Sequence, residues 1–342
     1  MGKVAAAMAL IGRLRAGLVG PAEARAALDS IARSPPASTA RFAIMAGAGA
    51  MALGVIFGAT HLLSLALIGV SAGLGGLLRR GLARLSGNPF VQPFAAALLA
   101  GLIGAAAVRL QLSTPQRLIA VCPCMVLVPG PHLLNGAIDL VRARIGLAAA
   151  RLIYAGLIVA AICAGPLGGL AFGGATLPAA VDGQAAPFAA DVIAAGVAVA
   201  AYGSFFSMPW RTLPVPVLIG MLAHTLRWTL LNLGAGPELG ALGACLVAGC
   251  LASPASDRFG QPFAGLAFAS VVSLIPGVYL FRTAGGLVAL IGGGGAAATP
   301  DLIHAVIADG STAMLILLAM TTGLIAPRMI AGHLRGAAAA AG

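Results

Sequence analysis

Charge is the scarcest commodity in this chain. Only 8% of its 342 residues are charged, nine are acidic, and lysine occurs once, at Lys3. A soluble domain carries ~25% charged residues, so a soluble enzyme or binding module is excluded. Spacings that carry chemistry are missing too. There is no G-x-S-x-G, no H-E-x-x-H and no pair of intramembrane aspartates. The glycine run in "IGGGGAAATP" (291–300) reads as an outer loop, because no Lys-Ser/Thr follows to make a phosphate loop. ATP-driven transport by this chain alone is excluded on that ground. Cysteines are few: Cys122, Cys124, Cys163, Cys245 and Cys250 all lie in apolar runs. The single residue inside "CPC" and the absence of a nearby Cys/His pair speak for packing over zinc. No cofactor or metal is expected. The net charge of +11 comes without a basic patch of interleaved aromatics, so no nucleic-acid partner is expected either.

What is present is apolar sequence. The chain is 60% hydrophobic, with a mean hydropathy of +1.02. Apolar runs long enough to cross a bilayer recur near 42–59, 61–78, 93–110, 118–140, 146–170, 188–207, 212–232, 238–253, 265–290 and 311–327. The expected fold is an all-α polytopic membrane protein of about ten transmembrane helices. Residues 1–41 form a short cytosolic segment, 42–175 a first five-span module and 176–342 a second. "GPAEARAALDSIARSPP" reads as a helix started by Pro21 and stopped by Pro35–Pro36, with Leu28 and Ile31 on one face. With the N-terminus inside, sixteen basic residues fall on the cytoplasmic side and only Arg109 and Arg117 outside. Asp182, Glu238, Asp301 and Asp309 fall in outer loops, and both termini are expected in the cytoplasm.

The fourth apolar run is interrupted. "PGPHLLNGAIDL" (129–140) returns 147 residues later as "PGVYLFRTAGGL" (276–287), identical at five of twelve positions. Each Pro-Gly falls near the middle of the fourth span of a five-span unit. Proline removes an amide donor and glycine loosens the backbone. Exposed backbone polar groups are tolerated at that depth only where they face protein or a watery cavity. Two successive units with an odd number of spans have opposite topology, which makes this an inverted repeat with broken fourth helices, as in secondary transporters. Pro129, Gly130, Pro276 and Gly277 are therefore expected to shape a substrate site, against the plainer alternative of kinks that only adjust packing.

The ionisable groups beside the breaks are costly in a membrane and are the candidates for function. Asp139, the one acid in the first five spans, either carries a proton or pairs with Arg142 or Arg144. Asn135 and Arg282 hold matching places in the repeat, and facing one cavity they would hold a zwitterion's ammonium and carboxylate; the alternative is that Arg282 reaches the outer surface. His132, matched with Tyr279, either relays protons or packs. His224 and Arg227 share a helix face as a basic pair for an anionic group or Asp191. His304 reads as a solvated loop residue.

The segments "FG" (57–58), "LVPGPHLLNGAIDL" (127–140) and "RIGLAAARLIYAGLIVA" (144–160) resemble the membrane part of the threonine/serine exporter family. The resemblance rests on Leu127–Gly130, Asn135, Asp139, Gly146 and Arg151. "SLIPGVYLFRTAGGL" and "TTGLIAPRMI" resemble the family's second five-span module, and together the likeness covers roughly residues 20–330. Longer members carry a sizeable soluble segment before the first span, so "GLVGPAEARAALDSIARSPP" is expected to be a shortened form of it. His132 and Pro131 depart from the pattern. The resemblance implies ten spans and proton-driven export of small hydroxy amino acids, threonine or serine, from the cytoplasm. The partners are then the amino acid, protons and the lipid bilayer; self-association is left open. An arginine-to-lysine ratio of 19 to 1 with abundant alanine and glycine points to a GC-rich bacterium and hence to its inner membrane. A passive channel, a transporter of another metabolite and an intramembrane enzyme using Asp139, His132 or a cysteine are the alternatives.

Overall fold

The computed structural model describes residues 2–110, 116–175, 186–292 and 298–341, and among them every regular element is helical. Two short helices come first, α1 (Gly2–Arg15) and α2 (Pro21–Arg33). Pro21 starts α2 as expected, and Ser34 stops it by turning both its amide and its hydroxyl onto the Ile31 carbonyl. The two helices close on a small cluster of Leu10, Val19 and Ala24, with Ile31 packed against it. Leu28, expected on the same face as Ile31, is exposed. The pair is tied to the bundle through Ser207, whose carbonyl accepts from the Gly2 amide at 3.1 Å and whose hydroxyl accepts from the Ala37 amide at 3.1 Å.

Ten membrane segments follow. The first unit comprises α3 (Thr39–Ile56), α4 (Leu62–Leu85), α5 (Val91–Arg109), the pair α6 (Gln116–Met125) and α7 (Gly130–Val141), and α8 (Ile145–Phe172). The second comprises α9 (Phe188–Phe205), α10 (Pro214–Asn232), α11 (Pro237–Phe259), the pair α12 (Phe263–Val271) and α13 (Gly277–Gly292), and α14 (Pro300–Ala341). Eight of these segments are single helices long and apolar enough to cross a membrane, and each of the two pairs is bent by 57° at its break, which makes ten spans where each pair counts as one. Both expected breaks are present. One boundary differs: α14 begins eleven residues before the apolar run at 311–327. Asp301, His304 and Asp309 are helical, not loop, because Thr299 caps the start by accepting from the Leu302 amide and α13 offers a polar partner to Asp309. Asp182 and the centre of the glycine run at 293–297 lie outside the described residues.

The two units are packed alike. In the first, α5 lies along α8, α3 along α4, α4 along α5, and α7 along α8. In the second the same places go to α11 with α14, α9 with α10, α10 with α11, and α13 with α14. Lipid tails offer no hydrophobic gain for helix association, so close van der Waals approach must supply it. Glycine supplies it at matching places. A Cβ on Gly101 would lie 2.5 Å from the Pro166 carbonyl oxygen, and one on Gly169 would lie 2.5 Å from that of Leu98. At the α11–α14 contact, a Cβ on Gly249 would lie 2.7 Å from the Gly323 oxygen, and one on Gly323 2.7 Å from Cys245 Cβ. Cys122, Cys124, Cys163 and Cys245 are buried and unpaired by disulfide.

The halves meet along α3 and α9, where Phe42 and Phe205 stack at 4.3 Å between ring centroids. Gly169→Val and Gly323→Val should each lower stability by about 1–3 kcal/mol through overpacking, whereas Gly12→Val, whose Cβ meets nothing within 4 Å, should not. Thermal unfolding in detergent, followed by circular dichroism, checks the contrast.

Candidate functional site

The two breaks are one local structure built twice. After Met125 the chain leaves the helix, and the Gly130 amide donates to the Val128 carbonyl at 2.8 Å, bridging Pro129. Pro129 has φ −79° and ψ 58°, the geometry of an inverse γ-turn. In the second unit the Gly277 amide donates to the Ile275 carbonyl at 2.7 Å across Pro276. The next bond is also repeated, from Leu133 to the Pro129 carbonyl at 3.2 Å and from Leu280 to that of Pro276 at 3.1 Å. Proline without an amide, then glycine without a side chain, is the sequence this turn requires. The Met125 carbonyl, which accepts from the Val128 amide at 3.3 Å, also accepts from the Tyr202 hydroxyl of α9 at 3.1 Å. One half of the chain thus satisfies the break of the other.

The breaks press on each other. A Cβ on Gly130 would overlap the Phe268 ring and come within 3.0 Å of Ile275 Cδ1; a Cβ on Gly277 would lie 2.8 Å from Met125 Cγ. Pro129, Gly130, Pro276 and Gly277 are all buried and all converge here. From this point the arms diverge, with α7 beside α12 and α13 beside α6. Asn135 and Arg282 each lie six residues along a diverging arm, about 9 Å from their prolines at ~1.5 Å per residue.

Each diverging arm is pinned to the last helix of its unit by an ion pair. Arg151 of α8 donates to Asp139 Oδ2 of α7 at 2.5 Å, and Arg144 Nη1 lies 3.8 Å from Oδ1. Ala143 at φ 56° doubles the chain back, so that the Arg144 amide donates to the Asp139 carbonyl at 2.8 Å. Arg142 is exposed; Arg144, and Arg151 beyond it, supply Asp139's charge partners. On the other arm Arg282 Nε pairs with Asp309 Oδ2 of α14 at 2.9 Å. The arginine is half-buried, with Asp309 as its charge partner. His132 is exposed on α7, its ring edge-on to Tyr154 at 4.9 Å.

A third polar group sits entirely in the second unit. His224 is fully buried; its Nδ1 is 2.9 Å from Asp191 Oδ2 and its Nε2 is 2.8 Å from Ser273 Oγ. Arg227 Nη1 lies 3.9 Å from Asp191 Oδ1. The basic face of α10 does take Asp191 as its partner. Ser273, in the 3-10 turn Val272–Leu274 leading into the second break, was hidden in the sequence, since one serine barely alters an apolar run. Asp309 was hidden by the misplaced start of α14. Tyr202 carries no sequence signal, because nothing marks its carbonyl acceptor 77 positions away. Among the described residues no group of three or more His, Cys, Asp or Glu is arranged to hold a metal.

Two models of one family match the chain. A threonine/serine exporter model covers residues 1–173, and a second, described as "Threonine/Serine exporter, ThrE", covers residues 191–330. No curated protein and no solved structure gives a significant match.

The Arg282–Asp309 pair carries a test of its own. Arg282→Asp or Asp309→Arg alone sets two like charges side by side and should cost about 1–3 kcal/mol. The exchanged pair Arg282→Asp with Asp309→Arg should recover part of that loss, and thermal unfolding of the four proteins forms the cycle.

Proposed function

The chain belongs to the threonine/serine exporter family, and on that premise we propose that it is a secondary transporter moving small hydroxy amino acids out of the cytoplasm against an inward flow of protons. The observation that carries this reading is the reciprocal contact of two identical helix breaks at the junction of two inverted units. Such a junction gathers unpaired backbone dipoles in the middle of a membrane, where a zwitterion needs partners. Helices α7 and α13 begin there, with their positive ends suited to a carboxylate, while carbonyls at the end of α6 suit an ammonium.

With both termini in the cytoplasm, as the charge asymmetry directs, α7 runs from the break toward the cytoplasm and α13 away from it. Asn135 then meets the substrate on the cytoplasmic side of the breaks and Arg282 on the outer side, in sequence. The pairs Asp139–Arg151 and Arg282–Asp309 hold the two arms, one at each side, and alternate opening follows if each unit rocks about its Pro-Gly turn. A bacterial inner membrane is the location this reading implies.

Purified protein in liposomes preloaded with labelled threonine or serine tests it under a pH gradient of either sign. Wild-type protein should release label in a gradient-dependent way. Gly130→Val, which drives a side chain into Phe268, should abolish release, and Arg282→Ala should slow it. Release indifferent to the gradient would make the protein a passive pore, and no release of either amino acid would reject the substrate.

A further inference from the structure

The group Asp191–His224–Ser273 has no counterpart in the first unit. The residue matching Ser273 in the repeat is Val126, and the first unit's one span acid, Asp139, is engaged by two arginines. Asp191 lies in the first turn of α9, on the face opposite the termini. His224 sits deeper on α10, and Ser273 lies at the break itself. The three form an unbroken hydrogen-bonded line from the first turn of α9 to the second break. All three are buried.

Buried carboxylate–imidazole–hydroxyl chains have two stable proton arrangements. With neutral His224, Nδ1–H donates to the Asp191 carboxylate, leaving Nε2 to accept the Ser273 O–H. With one more proton, Nε2–H donates to Ser273 Oγ. The serine hydrogen must then turn to another acceptor, and the nearest class of acceptor is the carbonyls of a helix break, whose helical bonds are incomplete. A proton arriving at the imidazole is thus felt as a changed hydrogen bond in the turn that forms the site.

The surrounding charges set the consequence. Arg227 on α10 stands 3.9 Å from Asp191. Tyr279 of α13, Glu238 in the first turn of α11 and the mutually paired Arg282 and Asp309 are the other titratable groups near this end of the bundle. Asp191 and Arg227 neutralise each other, so a proton on His224 leaves one uncompensated positive charge beside the second break. A substrate ammonium in the same place would be a second, and two like charges at such depth exclude one another.

We infer that Asp191, His224 and Ser273 are the proton-coupling relay of this protein, opening on the face opposite the termini, and that a proton on the relay and an amino acid at the breaks occupy the protein in turn. This rests on the exporter reading above. It moves the proton role from Asp139 and His132, where the sequence placed it, to a site those residues do not touch.

Two assays on the same proteoliposomes separate the relay from the transport path. Exchange of labelled for unlabelled threonine at equal pH on both sides requires only the path, whereas uphill movement under a pH gradient requires the coupling. His224→Gln and Ser273→Ala should keep exchange and lose gradient-driven movement by ~10-fold or more. The exchange rate of both should also lose its dependence on pH between about 5.5 and 8. Asp139→Asn should retain coupling. Ser273→Ala removes one hydroxyl from a folded turn and serves where His224→Gln does not fold. Full coupling in Ser273→Ala and His224→Gln, with exchange intact, overturns the relay and leaves the exporter standing. Loss of coupling in Asp139→Asn alone overturns it as well. Absence of wild-type exchange overturns the exporter reading and the relay with it. Covalent labelling of wild-type Ser273 by a fluorophosphonate also overturns it, since the serine would then be a nucleophile of an intramembrane hydrolase.

Discussion

Everything in this molecule answers to one constraint: in hydrocarbon, a backbone amide or carbonyl without a partner costs several kcal/mol. Eight straight spans meet it through their own helical bonds. The two broken spans cannot, and the neighbouring structure is arranged to compensate. An inverse γ-turn closes each break, Tyr202 reaches across from the other half to the Met125 carbonyl, and Ser273 brings the buried His224 to the second turn. Removing the interruption would make a more stable helix and leave no place in the membrane for a polar substrate.

The same constraint explains where the charges are. Of nine acidic residues, three are buried within span helices, Asp139, Asp191 and Asp309, each next to an arginine. Two of these pairs join a broken helix to the last helix of its own unit, and so bear on how the arms open. The third joins α9 to α10 and reaches the break only through His224. Removing one member of such a pair strands the other, so they act as catches and not as general sources of stability.

Spans, breaks and repeat were legible in the sequence because each leaves a one-dimensional trace: a run of about 20 apolar residues, a Pro-Gly inside one, and "PGPHLLNGAIDL" answered by "PGVYLFRTAGGL" 147 positions on. Pairings were less legible. Asp139 and Arg151 are twelve apart in sequence and could be suspected; Arg282 with Asp309, or Ser273 with His224, depend on which helix faces lie together. The placing of Asn135 opposite Arg282 rests on the alignment of two repeats alone. Alignment of two repeats says which residues are equivalent, and inversion then sends equivalent residues in opposite directions. Asp309 was lost to a helix boundary, since its polar neighbours Asp301 and His304 depress the local hydropathy without stopping the helix.

The twin turns at Pro129 and Pro276 have an energetic corollary. If each half can adopt the shape of the other, opening to one face and opening to the other are nearly the same conformation with the roles of the halves exchanged. Two such states differ little in free energy from backbone and packing alone. Their populations are then decided by the few side chains that break the symmetry, and a difference of 1.4 kcal/mol already shifts the ratio by about tenfold. A valine in one turn and a histidine-bound serine in the other are differences of that size. On the exporter reading, a near-degenerate scaffold would let so small a polar asymmetry govern which side of the membrane the protein faces.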